Sequence, residues 1–472
     1  MLRPRRWSIG LGLVLLLGGC GDDGVAGGGA GGGPAIAGAG GTGGMGSPPA
    51  GECVAFEGLT RWQTDIDSDD ALFNILIRDV AALPSGDSIV LFEFSGIGDP
   101  GFPITYAGAT LTLSGQNDTA SGGFVIRQSA DGSVAWAKRI EGEGSSNELA
   151  AIDVDDDGNV FLAGRMWSET IDVDGVLVDG RTSPGTAAGF AAKLDDAGEV
   201  VWATSFGEYG DDLTDTPAIS VSPSGELVVS VTWQSRFQFA GSRYAGIGGA
   251  ALAGFDDTGA PAWSLPLPSV DQAAVAFARR DEGGLRALGH FDASFVIGAF
   301  NVTKDPAFGQ QAYRLDISAS GEPEGAKAIQ LPTTGAAQYQ QAVAVTPRYA
   351  LLQGNGGTDD SPSYETTILA RVDGDQDIWA NSMETPGIVD DLLQDPDGRA
   401  LVLGAATTLE TCGVADPSTM ISRFTEEGVE DVRVIIDNKV GYRRSFALTP
   451  NGDLLIAFWD RLVRTKPLPE PE

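Results

Sequence analysis

Histidine and cysteine are almost missing. The 472-residue chain has one His and three Cys. A Ser or Cys nucleophile needs an activating base, usually His. His290 is the single one, and no G-x-S-x-G elbow occurs. The same scarcity excludes H-E-x-x-H zinc chemistry, a Cys/His metal site and a disulfide framework. Basic residues are few as well: 30 Lys and Arg face 65 Asp and Glu, a formal charge of −35. That balance disfavours nucleic acid as a partner and suits a soluble monomer. Helical periodicity is absent from every window, which leaves an all-β chain.

What is present is an apolar supply (42% of residues, nine of them Trp) punctuated by 66 Gly and 25 Pro. Such a composition packs a core instead of staying disordered.

At the N-terminus Arg3, Arg5 and Arg6 precede an apolar run, Ile9 to Leu17, the pattern of a secretory signal. The run is too short to span a bilayer comfortably. It ends in Leu17-Gly18-Gly19-Cys20, which resembles the bacterial lipobox. The resemblance implies that Cys20 is lipidated and that residues 1–20 are signal peptide and lipobox. Gly21, not Asp, follows, so the expected address is the outer membrane, on its periplasmic or its cell-surface side. Residues 21–50 hold thirteen Gly between 24 and 46. They read as a flexible tether with an end-to-end distance of roughly 30 Å.

From 51 to 468 two turn positions alternate. Gly86, Gly158, Gly225, Gly284, Gly398 and Gly452 lie between apolar runs, with Pro347-Arg348 filling the gap before Gly398. The mean interval is about 61 residues. Between them, Gly is followed four residues later by Trp at Gly58/Trp62, Gly132/Trp136, Gly198/Trp202 and Gly259/Trp263, with degenerate versions at Gly321, Gly374 and Gly428. Each interval therefore encodes four short antiparallel strands. The first Trp unit has no preceding partner, and the last Gly turn has no following Trp. The two fragments complete each other when the ends meet. A seven-bladed β-propeller of four-stranded antiparallel blades follows, its last blade closed by N- and C-terminal strands, which also removes exposed edges.

Residues 149–207 carry D-x-x-G-N-x-F-L-x-G and then G-F-x-A-K-L-D-x-x-G-x-x-x-W-x-x-x-F-G. This resembles the bacterial seven-bladed β-propeller repeat (SBBP-type), and 122–140 matches its second half. The resemblance implies the fold and little about activity. The Trp hairpin departs in its Asp–Gly spacing from quinoprotein and sialidase motifs, so no quinone cofactor is expected.

Four sets of residues stand out as candidates. Asp153, Asp155 and Asp157 have the D-x-D-x-D-G spacing of a calcium loop, although Gly164 stands where the bidentate Glu is expected. The other reading is an acidic hairpin turn. Trp167, Trp233, Phe291 and Trp459 sit where the second strand of a blade runs into its variable connection. They either form an exposed aromatic ring for glycan or protein binding or wedge between blades. Trp62, Trp136, Trp202 and Trp263 read as interblade core. Cys53 and Cys412 either bridge the closure or remain separate thiols. Gly96-Ile97-Gly98-Asp99-Pro100-Gly101 leads to no helix that could receive a phosphate and reads as a loop.

The expectation is an envelope lipoprotein whose propeller binds protein or glycan without catalysis, through the face carrying segments 97–118, 167–186, 233–248, 291–310, 355–364 and 406–418. An outer-membrane assembly scaffold is one alternative. A polysaccharide lyase or hydrolase with paired channel carboxylates is the other.

Overall fold

In the computed structural model the acidic turns set where strands begin and end. The structure describes residues 52–470, apart from 68–72, 98–102, 113–118, 144–146, 181–185, 208–212, 215–217, 246–247, 269–274, 281–282, 307, 330–338, 356–363, 373–378, 384–388, 407–417, 438–444 and 459. At 155–159 the Asp155 N–H donates to the Asn159 carbonyl (3.1 Å) and the Gly158 N–H to the Asp155 carbonyl (3.0 Å). Asp155 Oδ1 then accepts the backbone N–H groups of Asp157 (3.1 Å) and Asn159 (2.8 Å). Asp195, Asp256 and Asp395 cap their own turns in the same way. A short acceptor three residues before a Gly thus satisfies the turn's N–H groups and launches the flanking runs as a hairpin.

Six sheets of four consecutive antiparallel strands result, here numbered as blades 1 to 6, and a seventh is composite. Blade 1 is Phe73–Ala82, Ser88–Ile97, Thr119–Gln128 and Val134–Glu143. Blade 2 is Glu148–Val154, Val160–Met166, Ala188–Leu194 and Val200–Phe206. Blades 3, 4, 5 and 6 start at Ile219, Ala276, Tyr339 and Val389. Blade 7 joins Ser445–Leu448, Leu454–Ala457 and Arg461–Thr465 to the N-terminal strand Thr60–Asp67, in a register that pairs Thr60 with Thr465 and Asp65 with Arg461. The ring therefore closes with three strands from the C-terminal side and one from the N-terminal side.

Among the described residues there is no single core: the buried apolar side chains form seven clusters, and each cluster fills the seam between two neighbouring blades. Strand alternation feeds the seams: in Leu227–Trp233, Val228 enters the seam with blade 4 while Val229 enters the seam with blade 2. Such strands are buried on both faces, so they read as continuous apolar runs.

The Trp units lock the same seams from the rim. The indole N–H of Trp62 reaches the Ala130 carbonyl of blade 1 (3.0 Å), that of Trp136 reaches Asp196 of blade 2 (3.1 Å), and that of Trp202 reaches Asp257 of blade 3 (3.1 Å). Each ring lies on the Gly of that next turn: Gly132, Gly198 and Gly259, with Trp263 on Gly321 of blade 4. The Gly and Trp of one motif therefore serve different seams.

The sequence assigns no strands to the variable connections between second and third strands. In blades 1 to 4 they fold instead into hairpins: Pro103–Tyr106 with Ala109–Thr112, Thr170–Val173 with Val176–Asp179, Arg236–Phe239 with Ser242–Ala245, and Phe295–Ile297 with Phe300–Val302. The first pairs with the outer strand of blade 7 and the second with the outer strand of blade 1. Glu52–Ala55 adds in parallel to the outer strand of blade 6, Cys53 opposite Arg433. Three outer edges are thereby covered.

Candidate functional site

The aromatic candidates do not form a ring. Trp233 is 5% exposed and stacks on Phe237 and Tyr244, with centroids 5.5 and 5.7 Å away. Phe291 is 2% exposed, edge-on to Phe295 and Tyr313. Both are consumed by the hairpin that follows them, so the expectation of exposed stacking faces is corrected at these two positions. Trp459 lies outside the described residues. Trp167 is different: at 37% it is the one exposed aromatic among the described residues.

Trp167 follows the strand Val160–Met166, and its backbone is held from below. Buried Asn147 accepts through Oδ1 from the N–H groups of Trp167 (3.1 Å) and Ser168 (3.3 Å) and from the Ser168 hydroxyl (2.9 Å). The Asn147 N–H donates to Ser121 Oγ of blade 1 (2.8 Å). Asn147 Nδ2 is buried without a hydrogen-bond partner.

A file of charges leads to the indole across the seam. Glu93 receives both Arg78 donors (2.8 and 2.7 Å), Arg78 lies 3.6 Å from Glu148, and Glu148 pairs with Arg165. The Arg165 guanidinium then sits 4.8 Å from the centre of the Trp167 ring. All four charged side chains are largely buried. Burial holds the Glu93 carboxyl above its ordinary range, opposed by Arg78. The result is a preorganised aromatic surface with a charged neighbour, able to stack on a sugar ring or a peptide side chain.

The acidic triplet does not converge. Asp153 Oδ1 and Oδ2 accept the N–H groups of Val154 and Val221 (both 2.8 Å). Asp155 is the turn cap, further engaged by Asn159 Nδ2 (2.7 Å) and by Lys193 at 3.7 Å, and Asp157 is exposed. Among the described residues no group of three His, Cys, Asp or Glu could hold a metal ion. Asp153 and Asp155 thus spend oxygens on backbone N–H groups, which is the acidic-hairpin reading of Asp153, Asp155 and Asp157.

Two innermost strands do bring carboxylates into electrostatic contact. Asp79 accepts from Val80 N–H (2.9 Å), Ile152 N–H of blade 2 (2.9 Å) and Ser445 Oγ of blade 7 (2.6 Å). Burial raises its pKa. Burial, with the Asp79 charge adding to it, pushes Asp153 up to about 6. Both side chains tie one blade's first strand to the next, which gives them a structural task. Cys412 lies outside the described residues, as do 1–51 with Cys20, and of Cys53 only the backbone is placed.

Sequence reasoning missed the interblade arginines. Arg127 Nη1 donates to the Asp196 carbonyl (2.7 Å), Arg464 Nη1 to Gly86 (2.7 Å), and Arg371 Nη1 to Glu426 (3.0 Å). No spacing announces them, because each acts across a seam.

No protein-family profile and no curated protein matches the chain. Among solved structures it is similar to Raptor of Chaetomium thermophilum, with 10% identity and a TM-score of 0.43 over 87% of this chain and 30% of that one. It is also similar to a protein of unknown function from Dyadobacter fermentans, with 10% identity and a TM-score of 0.40 over 86% and 98%. A third, of unknown function, from Bacteroides caccae, has 8% identity and a TM-score of 0.34 over 66% and 94%. Likeness at this level carries no functional inference. The class is set by the chain's own architecture: a seven-bladed β-propeller.

Proposed function

We propose that this propeller is a non-enzymatic binding module of the bacterial envelope, lipid-anchored through Cys20 and held off the outer membrane by the Gly-rich stretch 21–50. The ligand is a glycan or a protein segment that stacks on Trp167. The observation that carries this reading is the Trp167 platform, an indole left 37% exposed while Arg165 and Asn147 hold it in place. Rigid exposed aromatics contribute contact area at low entropic cost. The buried carboxylates of Asp79 and Asp153 are engaged by backbone donors of the next blade, which supports binding over the lyase or hydrolase alternative.

The test is Trp167→Ala in a glycan array and in affinity capture from envelope extracts. Loss of a wild-type ligand in a variant that still folds, with stability lowered by no more than about 1 kcal/mol, supports the reading. Retention of every wild-type ligand overturns it. Capture of outer-membrane assembly proteins would favour the scaffold alternative.

A further inference from the structure

Between blades 6 and 7 the segment Lys466–Glu470 lies across the seam and carries a carboxylate to two arginines. Lys466 is tied at its start, with its N–H to the Leu59 carbonyl (2.7 Å) and Nζ to the Gly58 carbonyl (3.0 Å). Leu468 packs, partly buried, on the apolar cluster of that seam. The Glu470 carboxylate accepts from Arg399 Nη1 (2.8 Å) and Nη2 (3.2 Å), with Arg423 Nη1 at 3.6 Å. The two arginines depress its pKa, Arg399 foremost.

Each guanidinium already has a carboxylate from its own blade. Arg399 holds two, Asp395 through Nε and Asp397 through Nη2 (both 2.7 Å), and Arg423, itself 1% exposed, holds Asp431 (3.0 Å). Glu470 is therefore a surplus counter-charge, the third on Arg399 and the second on Arg423, and its side chain stays 69% exposed. Beside the seated segment a cavity of about 260 Å³ remains, lined by Arg399, Arg423, Leu448, Pro450, Leu454 and Leu468 among others.

We propose that this cleft is a receptor for an extended acidic peptide segment of a partner protein, and that Lys466–Glu470 occupies it in place of that ligand. The segment shows the chemistry recognised: an apolar residue, then a carboxylate two positions on, in a chain that Pro467 and Pro469 bias to an extended form. The two arginines read the carboxylate, the Leu468 position reads the apolar side chain, and the void takes a bulkier one. The site is separate from the Trp167 platform.

The probe is a fluorescein-labelled peptide, Lys-Pro-Leu-Pro-Glu-Pro-Glu, read by anisotropy against the full chain and the chain ending at Lys466. Expected is binding to the shortened chain about tenfold tighter than to the full chain, with a similar loss when Arg399→Gln is added or both peptide Glu become Gln. A folded shortened chain that binds no better than the full one, or binds the Gln peptide equally, overturns the proposal. Should shortening unfold the protein, Glu470→Gln in the full chain replaces it: improved peptide binding supports the proposal, and unchanged binding overturns it. A full-length dimer that exchanges this segment between copies would make the second copy the occupant and also overturn it.

Discussion

Gly259 is the position where seam docking can be measured against its own background. It has φ +80, and a Cβ added there would lie 2.6 Å from the Trp202 ring. Gly241 has nearly the same backbone, φ +77, with nothing within 4 Å of an added Cβ. The chain itself places Ala240 at φ +49 and Ala107 at φ +48, so alanine tolerates this region at a cost of about 1 kcal/mol. Gly241→Ala should therefore destabilise by about 1 kcal/mol, from strain alone. Gly259→Ala adds an overpacking cost of about 1–3 kcal/mol, for a total of about 2–4 kcal/mol. The clash has nowhere to go, because Trp202 is wedged between Phe161 and Phe255, with centroids 6.1 and 6.5 Å away, and its N–H is fixed on Asp257. Chemical denaturation of both variants, alone and in a Trp202→Leu background, gives the coupling. In that background Gly259→Ala should fall to about 1 kcal/mol, the strain cost alone. Equal losses for Gly259→Ala and Gly241→Ala in the wild-type background would refute the docking argument.

Three further outcomes follow from the same structure. Trp233→Ala should cost about 3–5 kcal/mol because the residue is 5% exposed, while Trp167→Ala, losing mainly its Arg165 contact, should cost about 1 kcal/mol, both read by thermal melting. Asp153 titrates near 6 when folded against 3.8 when unfolded, so the folded state binds its proton more tightly. Its contribution is full below the unfolded value and is lost as pH rises through about 6. Melting temperature should accordingly fall between pH 4 and 7, less steeply in Asp153→Asn; an identical slope in that variant counts against the assignment. Arg464→Ala strips Asp453, itself 2% exposed, of one of two guanidiniums and frees the Gly86 carbonyl at the ring closure. Denaturant melts should show a loss of about 2–4 kcal/mol, and a loss below about 0.5 kcal/mol would mean the closure does not depend on this contact.

Much of the architecture was legible because it is written in local chemistry. Most turns carry a Gly at positive φ with an Asp, Ser or Thr three residues earlier, and a strand needs an apolar run, so the alternation of two turns already implied seven blades and a composite closure. Even the reason for the acidic turns lies in adjacent residues, since Asp155 caps the N–H groups of Asp157 and Asn159. What the tertiary structure decided is which surfaces are spent. Trp167, Trp233 and Phe291 occupy comparable places in the repeat, yet the hairpins after Trp233 and Phe291 fold over them and the one after Trp167 pairs away onto blade 1. Asp79 and Asp153, Arg127 and Arg464, and the cleft that receives Glu470 all join residues of different blades. Exposure and cross-seam contact depend on which strands become neighbours when the ring closes, and no spacing along one chain encodes that distance.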